Sequence, residues 1–432
     1  MTETSEKKKL ATLLEKTRQF WALLTNRTQK TVDLLSGHWR DLVEKYDFII
    51  YPLAVFFFSR LLVFGVAHIG NVYFPTDPGH WMPSDVHPFL SLWARWDSQW
   101  YNWIVDQGYW LRPGVMSNVA FFPLYPLTVS FLNSFLGGEK IILSGFLVSN
   151  GAFLGALIYL YLLTKLEFES RNIAYRAIFY LSIFPSSFYL SAMYTESMFL
   201  LFSVATLYYA RQHEWAWATL MGIMTSATRI IGVITWGLVM WEWLRVHGWT
   251  LATIHKPKAW KDLGKGIQKD WAQLIVIAMI PLGILSYMGF LYQNFNDPVA
   301  FFTAQAAWNR ENIGPWAVVY RDLKVIFANG LNQSNTSLLL NIVSLTGGTV
   351  LGIATWKRLG AGYGIYVLLS LMVPAASSSI SLIRFTLVCF PVFMILGDWG
   401  TKNKTLDHVL TAGFSVLLGV LTAIYVNWIF VA

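Results

Sequence analysis

Five charged side chains in this 432-residue chain stand where chemistry could be done, in short polar breaks between long apolar runs: Asp97, Glu196, Arg229, Arg310 and Arg384. Asp97 sits in Ala94-Arg95-Trp96-Asp97-Ser98-Gln99-Trp100-Tyr101, a carboxylate surrounded by aromatic residues. Partial desolvation of that kind suits a general base, and the competing readings are an ion pair with Arg95 or the cap of a following helix. Glu196, in Tyr194-Thr195-Glu196-Ser197, opens an apolar run and reads either as a first-turn capping group or as a second working acid. Arg229, in Thr228-Arg229-Ile230, and Arg384, in Ser381-Leu382-Ile383-Arg384-Phe385, fall near the ends of apolar runs. A guanidinium keeps its charge and grips phosphate bidentately, so either could steady a lipid phosphate as it becomes a leaving group. Snorkelling to the membrane surface is the alternative for both. Gln305, Trp308 and Arg310 follow one another in a single polar stretch, and Arg60, in the middle of an apolar run, is expected to pair inside a bundle.

These residues need elements to hold them, and the composition names the kind. Hydrophobic residues make up 55% of the chain and charged residues only 13%, about half the share of a soluble globular protein. Apolar segments fall near 48–70, 119–137, 141–163, 173–191, 195–211, 215–246, 272–291, 337–356, 362–377, 384–399 and 408–431. The reading is an all-α polytopic membrane protein. Placing loops rich in Lys and Arg on the inner side leaves 71–118 and 292–336 as two long outer loops. It also demotes 119–137, with its two prolines in Phe121-Phe122-Pro123-Leu124-Tyr125-Pro126, to a re-entrant or juxtamembrane segment. The run 215–246 must break near Arg229, because a single helix would put the six Lys and Arg of 245–271 outside. The count is about eleven transmembrane helices plus the re-entrant segment, and Asp97, Glu196, Arg310 and Arg384 then share the outer side.

The domain division is a cytoplasmic basic amphipathic arm over 1–46, a transmembrane catalytic domain over 47–400, and a final transmembrane helix within 401–432. The outer loop 71–118 is rich in tryptophan, with Trp93, Trp96, Trp100, Trp103 and Trp110, and is expected to pack as amphipathic helices at the interface. The net charge of +8 resides mostly in tails and short loops, a topology signal that implies no nucleic-acid partner. The one cysteine, Cys389, lies in an apolar run, and no Cys/His spacing suggests a zinc site. No internal repeat is evident.

At the candidate residues the sequence resembles a known family. Arg95-Trp96-Asp97-Ser98, Ile104-Val105-Asp106-Gln107-Gly108-Tyr109 and Ala120-Phe121-Phe122-Pro123-Leu124-Tyr125-Pro126 resemble the signature of the PIG-V family, the GPI mannosyltransferase II group and its prokaryotic relatives. Ser191–Ser197, Ser226–Gly232, Asp297–Arg310, Arg384-Phe385 and Phe390-Pro391 continue the likeness in the same order, over about residues 50–400. The resemblance implies a GT-C superfamily fold and an inverting glycosyltransferase that takes a mannosyl group from a polyprenyl-phosphate donor. The acceptor would be a glycan or glycolipid hydroxyl at the outer membrane face. On that reading Asp97 is the catalytic acid of the first outer loop and Glu196 the second. Arg384, Arg229 and Arg310 bind the donor phosphate, and Trp96, Gln305 and Trp308 line the substrate pocket. No cofactor is fixed. Some members of the superfamily hold a divalent metal, for which Asp97 and Glu196 are the candidates, but the first loop has no Asp-x-Asp.

Two other classes stay open: a lipid-linked sugar flippase or other transporter, and a non-catalytic subunit docked through the basic arm. The absence of a retention signal in Phe430-Val431-Ala432 favours a bacterial plasma membrane over an endoplasmic reticulum.

Overall fold

The computed structural model describes residues 15, 41, 43–77, 80, 86–308, 310, 312–332 and 335–431. The chain divides into two units, Met1–Tyr51 and Pro52–Ala432. The arm expected over 1–46 lies almost wholly outside the described residues.

The described residues form helices and connections, with no strand among them. In chain order the helices are α1 (Asp47–Tyr73), α2 (Pro88–Ser91), α3 (Ser98–Gln107), α4 (Leu124–Phe135), α5 (Ile141–Phe168), α6 (Arg171–Ile183), α7 (Glu196–Arg211), α8 (Trp215–Thr228) and α9 (Ile234–Val246). They continue as α10 (Pro257–Ala278), α11 (Leu282–Phe295), α12 (Ala300–Thr303), α13 (Pro315–Asn329), α14 (Thr336–Leu359), α15 (Ala361–Ala375), α16 (Leu382–Leu387), α17 (Phe390–Lys402) and α18 (Lys404–Val426). Among the described residues four helices, α1, α5, α14 and α18, are long and apolar enough to cross a membrane, and the bent pair α10 and α11 makes a fifth. Such a chain is an integral membrane protein, because in lipid only a helix satisfies its own backbone.

Contacts between helices fix which end of the bundle each one reaches. At the end called lower here, Arg211 closing α7 pairs with Glu167 at the end of α5 and, at 2.9 Å, with Glu242 of α9. Tyr363, near the start of α15, donates to the same Glu167 (2.8 Å), and Arg176 of α6 meets Asp407 of α18 (3.0 Å). Lys402 and Arg358 meet Asp398 of α17 at 2.8 and 3.5 Å. At the upper end Asn427, just past α18, donates to Gly70 O of α1 (3.0 Å). Tyr125 donates to Gly145 O of α5 (3.1 Å), and Tyr287 of α11 to Val119 O (2.8 Å). Successive helices therefore alternate in direction: α1, α6, α8, α10–α11, α15 and α18 rise, while α5, α7, α9, α14 and α17 descend.

Two breaks expected from sequence have clear causes. The run from Trp215 stops at Thr228; Arg229 is extended (φ −154°), and a 3₁₀ turn over Ile230–Val233 leads into α9. The segment after Asn118 carries α4, 12 residues and about 18 Å long, with Pro123 at its N-cap and Pro126 in its first turn.

Glycine sets one approach within the bundle. A Cβ on Gly283 of α11 would collide with the carbonyl of Ile223 and the hydroxyl of Ser226 on α8, so the two backbones touch there. Gly283→Val is expected to destabilise the purified protein by about 1–3 kcal/mol in thermal unfolding. Gly289→Val on the same helix, where a Cβ meets nothing within 4 Å, is expected to leave the unfolding temperature nearly unchanged.

Candidate functional site

Asp97 is delivered by a strained turn. Trp96 just before it is left-handed (φ +50°), a conformation that a bulky side chain adopts only when the surroundings impose it. Tyr194 is what imposes it: its hydroxyl donates to Arg95 O (3.0 Å) and accepts from the Asp97 N–H (3.1 Å). Backbone pairing of Met193 N–H with Trp93 O (3.0 Å) ties the same two segments together. Arg95 does not pair with Asp97. It turns the other way, donating to Val426 O at the end of α18 (3.0 Å) with its guanidinium over the Trp428 ring (5.0 Å). Burial pushes its guanidinium down to about 10. Asp97 precedes α3, yet its side chain makes no capping bond, so the carboxylate is left for other work.

Glu196 is the first residue of α7, and its side chain is fully buried. The turn before it is held from below by Arg60 of α1, which donates to Ser182 O and Ser187 O (3.1 and 3.0 Å) and to the hydroxyls of Ser187 and Ser191 (3.2 and 3.1 Å). Arg60 thus does pair inside the bundle, with carbonyls and hydroxyls at the end of α6.

Arg384 joins the two acids. From α16 its Nε and Nη2 reach Glu196 Oε1 at 2.8 and 2.7 Å, and its Nη1 donates to Asp97 Oδ2 at 2.9 Å. The rings of Tyr194 and Tyr189 lie against the guanidinium at 4.7 and 4.9 Å. Arg229 adds a second cation to the same Glu196 Oε1 (3.2 Å), its guanidinium over the Phe385 ring (5.0 Å). The break between α8 and α9 is what places it there, and the tight packing of Gly232 on the Thr225 carbonyl keeps that break closed. Arg310 completes the group: it donates to Gln305 Oε1 (3.0 Å) and lies in the field of Asp97, Arg384 and Arg229. Burial lowers its hold on a proton.

Of the residues named from sequence, Asp97, Glu196, Arg229 and Arg384 form one ion-paired cluster, with Arg310 and Gln305 beside it. Trp308 packs edge-on to Trp100 (5.6 Å), one helical turn beyond Asp97. Trp96 instead packs among His80, Trp428 and Phe430, at 5.1 to 5.6 Å. Sequence reasoning assigned no role to Tyr189 and Tyr194, which wrap Arg384; the only signal was the position of Tyr194 two residues ahead of Glu196.

The cluster's chemistry follows from its charges. Two carboxylates face three guanidiniums, leaving a net positive site suited to a phosphate-bearing substrate. Asp97 is the accessible acid, its side chain 34% exposed, and its Oδ1 makes no hydrogen bond among the described residues. Glu196 is sealed, and its Oε2 has no hydrogen-bond partner among the described residues. Each acid shares one oxygen with a guanidinium, and among the described residues no three His, Cys, Asp or Glu side chains gather as ligands for an ion. Removing the Tyr194 hydroxyl by Tyr194→Phe would leave the Asp97 N–H unpaired, for which about 1–3 kcal/mol is typical, and would leave Arg95 O only the Ser98 N–H (3.2 Å). The expected outcome is a folded protein whose turnover, measured by steady-state kinetics in nanodiscs, falls about tenfold or more.

The mannosyltransferase (PIG-V) family matches residues 75–320, more than half of the chain. That stretch carries every member of the cluster except Arg384. No curated protein matches the chain. Among solved structures, similarity is found to the oligosaccharyltransferase AglB of Archaeoglobus fulgidus in complex with an inhibitory peptide and a dolichol-phosphate. The identity is 14% and the TM-score 0.42, over 90% of this chain and 56% of that one. The apo form of the same archaeal enzyme gives 14% identity and a TM-score of 0.43, over 88% and 55% of the two chains. The chain thus spans about half the length of the solved proteins it matches. On the extent of the family match, the chain belongs to the mannosyltransferase (PIG-V) family.

Proposed function

We propose that the protein transfers mannose, with inversion, from a polyprenyl-phosphate donor to a hydroxyl of a glycan or glycolipid acceptor at the outer face of the membrane. The observation that carries this reading is the single guanidinium of Arg384 held between Asp97 and Glu196, with Arg229 and Arg310 around it, in a chain of mannosyltransferase family.

Asp97 is the base. Its free Oδ1 takes the acceptor's hydroxyl proton as that oxygen attacks the anomeric carbon from the side opposite the phosphate. The new carbon–oxygen bond forms as the old one breaks, and its electron pair leaves on the polyprenyl phosphate. Arg310, whose hydrogen bond among the described residues is to an amide, is the cation best placed to neutralise that phosphate. Arg384 already spends its N–H groups on the two acids, so its task is to orient Asp97 while adding positive field. Glu196, sealed and doubly paired, keeps Arg384 and Arg229 in position, and its unpartnered Oε2 is available to a substrate hydroxyl.

The finer topology belongs to the same proposal: eleven crossings, the upper end facing outward, α4 as a juxtamembrane segment, and the arm over 1–46 on the inner side. The alternation of helix directions supports it, since α6, α7, α8, α9, α15 and α17, of 13 to 16 residues, each carry the chain from one end to the other. The bacterial plasma membrane is the proposed compartment.

The test is transfer by purified protein in nanodiscs from polyprenyl-phosphate-mannose to a panel of glycan and glycolipid acceptors. Asp97→Asn is expected to lower turnover by about 10²- to 10⁴-fold with unchanged donor affinity. Arg310→Gln is expected to raise the Michaelis constant for the donor about tenfold or more. A chelator should change neither rate. Full activity in Asp97→Asn would remove the base assignment, and donor movement across the bilayer without transfer would favour a flippase.

A further inference from the structure

At the lower end, α10 is two segments joined at Asp270, where the backbone leaves the helical region (φ −115°, ψ 24°). The second segment runs into the apolar pair with α11. The first, Pro257 to Asp270, divides its circumference into three faces.

One face is packed on the protein. Ala259 and Leu263 are only 6% and 8% exposed, and Gly266 sits so close to the His247 ring that a Cβ would collide with it. The His247 ring nitrogens lie 2.8 Å from Trp243 O and 3.1 Å from Asp270 Oδ2, pinning the kink to α9. A second face is apolar and open. Trp260 and Ile267 are 53% and 43% exposed at spacing i and i+7, and past the kink the open apolar side continues in Trp271 and Ile275, 59% and 55% exposed. The third face is a ridge of Lys258, Lys261, Lys265 and Lys269, at i, i+3, i+7 and i+11. At 3.6 residues per turn the apolar stripe lies about 80° from the packed face, and the centre of the lysine ridge lies about 120° or more from both.

An exposed tryptophan and isoleucine on an open stripe beside a lysine ridge, with a second exposed tryptophan just past the kink, match a helix lying in the plane of a bilayer surface, with its stripe in the acyl boundary and its cations among headgroups. The stripe is continuous with the exposed apolar side of the following segment, and the lysine charge is complementary to anionic lipid. We propose that Pro257 to Asp270 is an in-plane helix that binds the anionic headgroups of the leaflet opposite the candidate site. It anchors α9 and α10 at the depth of the membrane surface.

The experiment uses the full chain in nanodiscs of phosphatidylcholine, alone or mixed with phosphatidylglycerol. The buried Cys389 is replaced by serine, and a single spin label is placed through Ile267→Cys or, separately, Lys265→Cys. In mixed discs the label at 267 is expected to collide with oxygen several-fold more than with a water-soluble nickel chelate, and the label at 265 to show the reverse. Replacing the four lysines by glutamine, or omitting phosphatidylglycerol, is expected to reduce the depth at 267. A label at 267 that meets the nickel chelate freely in every disc overturns the proposal. So does a depth that ignores both lipid charge and the lysines, or a label shielded from both reagents with spin–spin broadening, which would assign the stripe to a second copy of the chain.

Discussion

A carboxylate sealed inside an apolar bundle must be neutralised where it stands, and Glu196 is such a group, with a fully buried side chain. Two guanidiniums converge on one of its oxygens, and one of them, Arg384, reaches on to Asp97. The upper end of the bundle is organised around this shared cation. Removing Arg384 would leave one acid buried and the other unoriented. The pairing therefore holds α7, α16, the α8–α9 break and the turn before α3 in fixed relation, and in doing so builds a site with one accessible carboxylate and an excess of positive charge.

A second device, used twice, delivers the two acids. Arg60 and Arg95 are buried arginines whose described bonds go to no carboxylate, and each donates to carbonyls at the C-terminal end of a helix: Arg60 at α6 and Arg95 at α18. Such carbonyls lack intrahelical partners and carry the negative end of the helix dipole, so a guanidinium there satisfies both sides. Arg60 fixes the turn that leads to Glu196, and Arg95 fixes the turn that leads to Asp97. At the lower end, Arg211 between Glu167 and Glu242, with Tyr363 on Glu167, gathers α5, α7, α9 and α15 by the same economy of one cation among several chains. With both ends held electrostatically, helices of only 13 to 16 residues can stay in register through the apolar middle.

The helices themselves were legible in the sequence, because in an apolar solvent each backbone group must be satisfied locally and the hydropathy of a run of residues decides whether it becomes a helix. The break at Arg229 and the demotion of 119–137 both followed from the charges of the loops downstream, and Pro123 and Pro126 suited a segment that need not span. The membrane-protein class followed from composition, and the family from the motifs around Asp97 and Glu196.

Partnership was not legible. Arg95 is two residues from Asp97 and looked like its natural mate, yet it binds Val426, and the arginine that does pair with Asp97 lies 287 positions along the chain. Tyr194 gave no sign of shaping the Trp96 turn, and Trp96 itself faces His80, Trp428 and Phe430, away from the ion pairs that its neighbour joins. The sequence alone determined which segments are helices and which charged groups interrupt them, since both depend on neighbours within a few turns. Only the tertiary structure decided which arginine meets which acid and which acid stays accessible, because those depend on the order in which distant helices pack and on how much water the packing excludes.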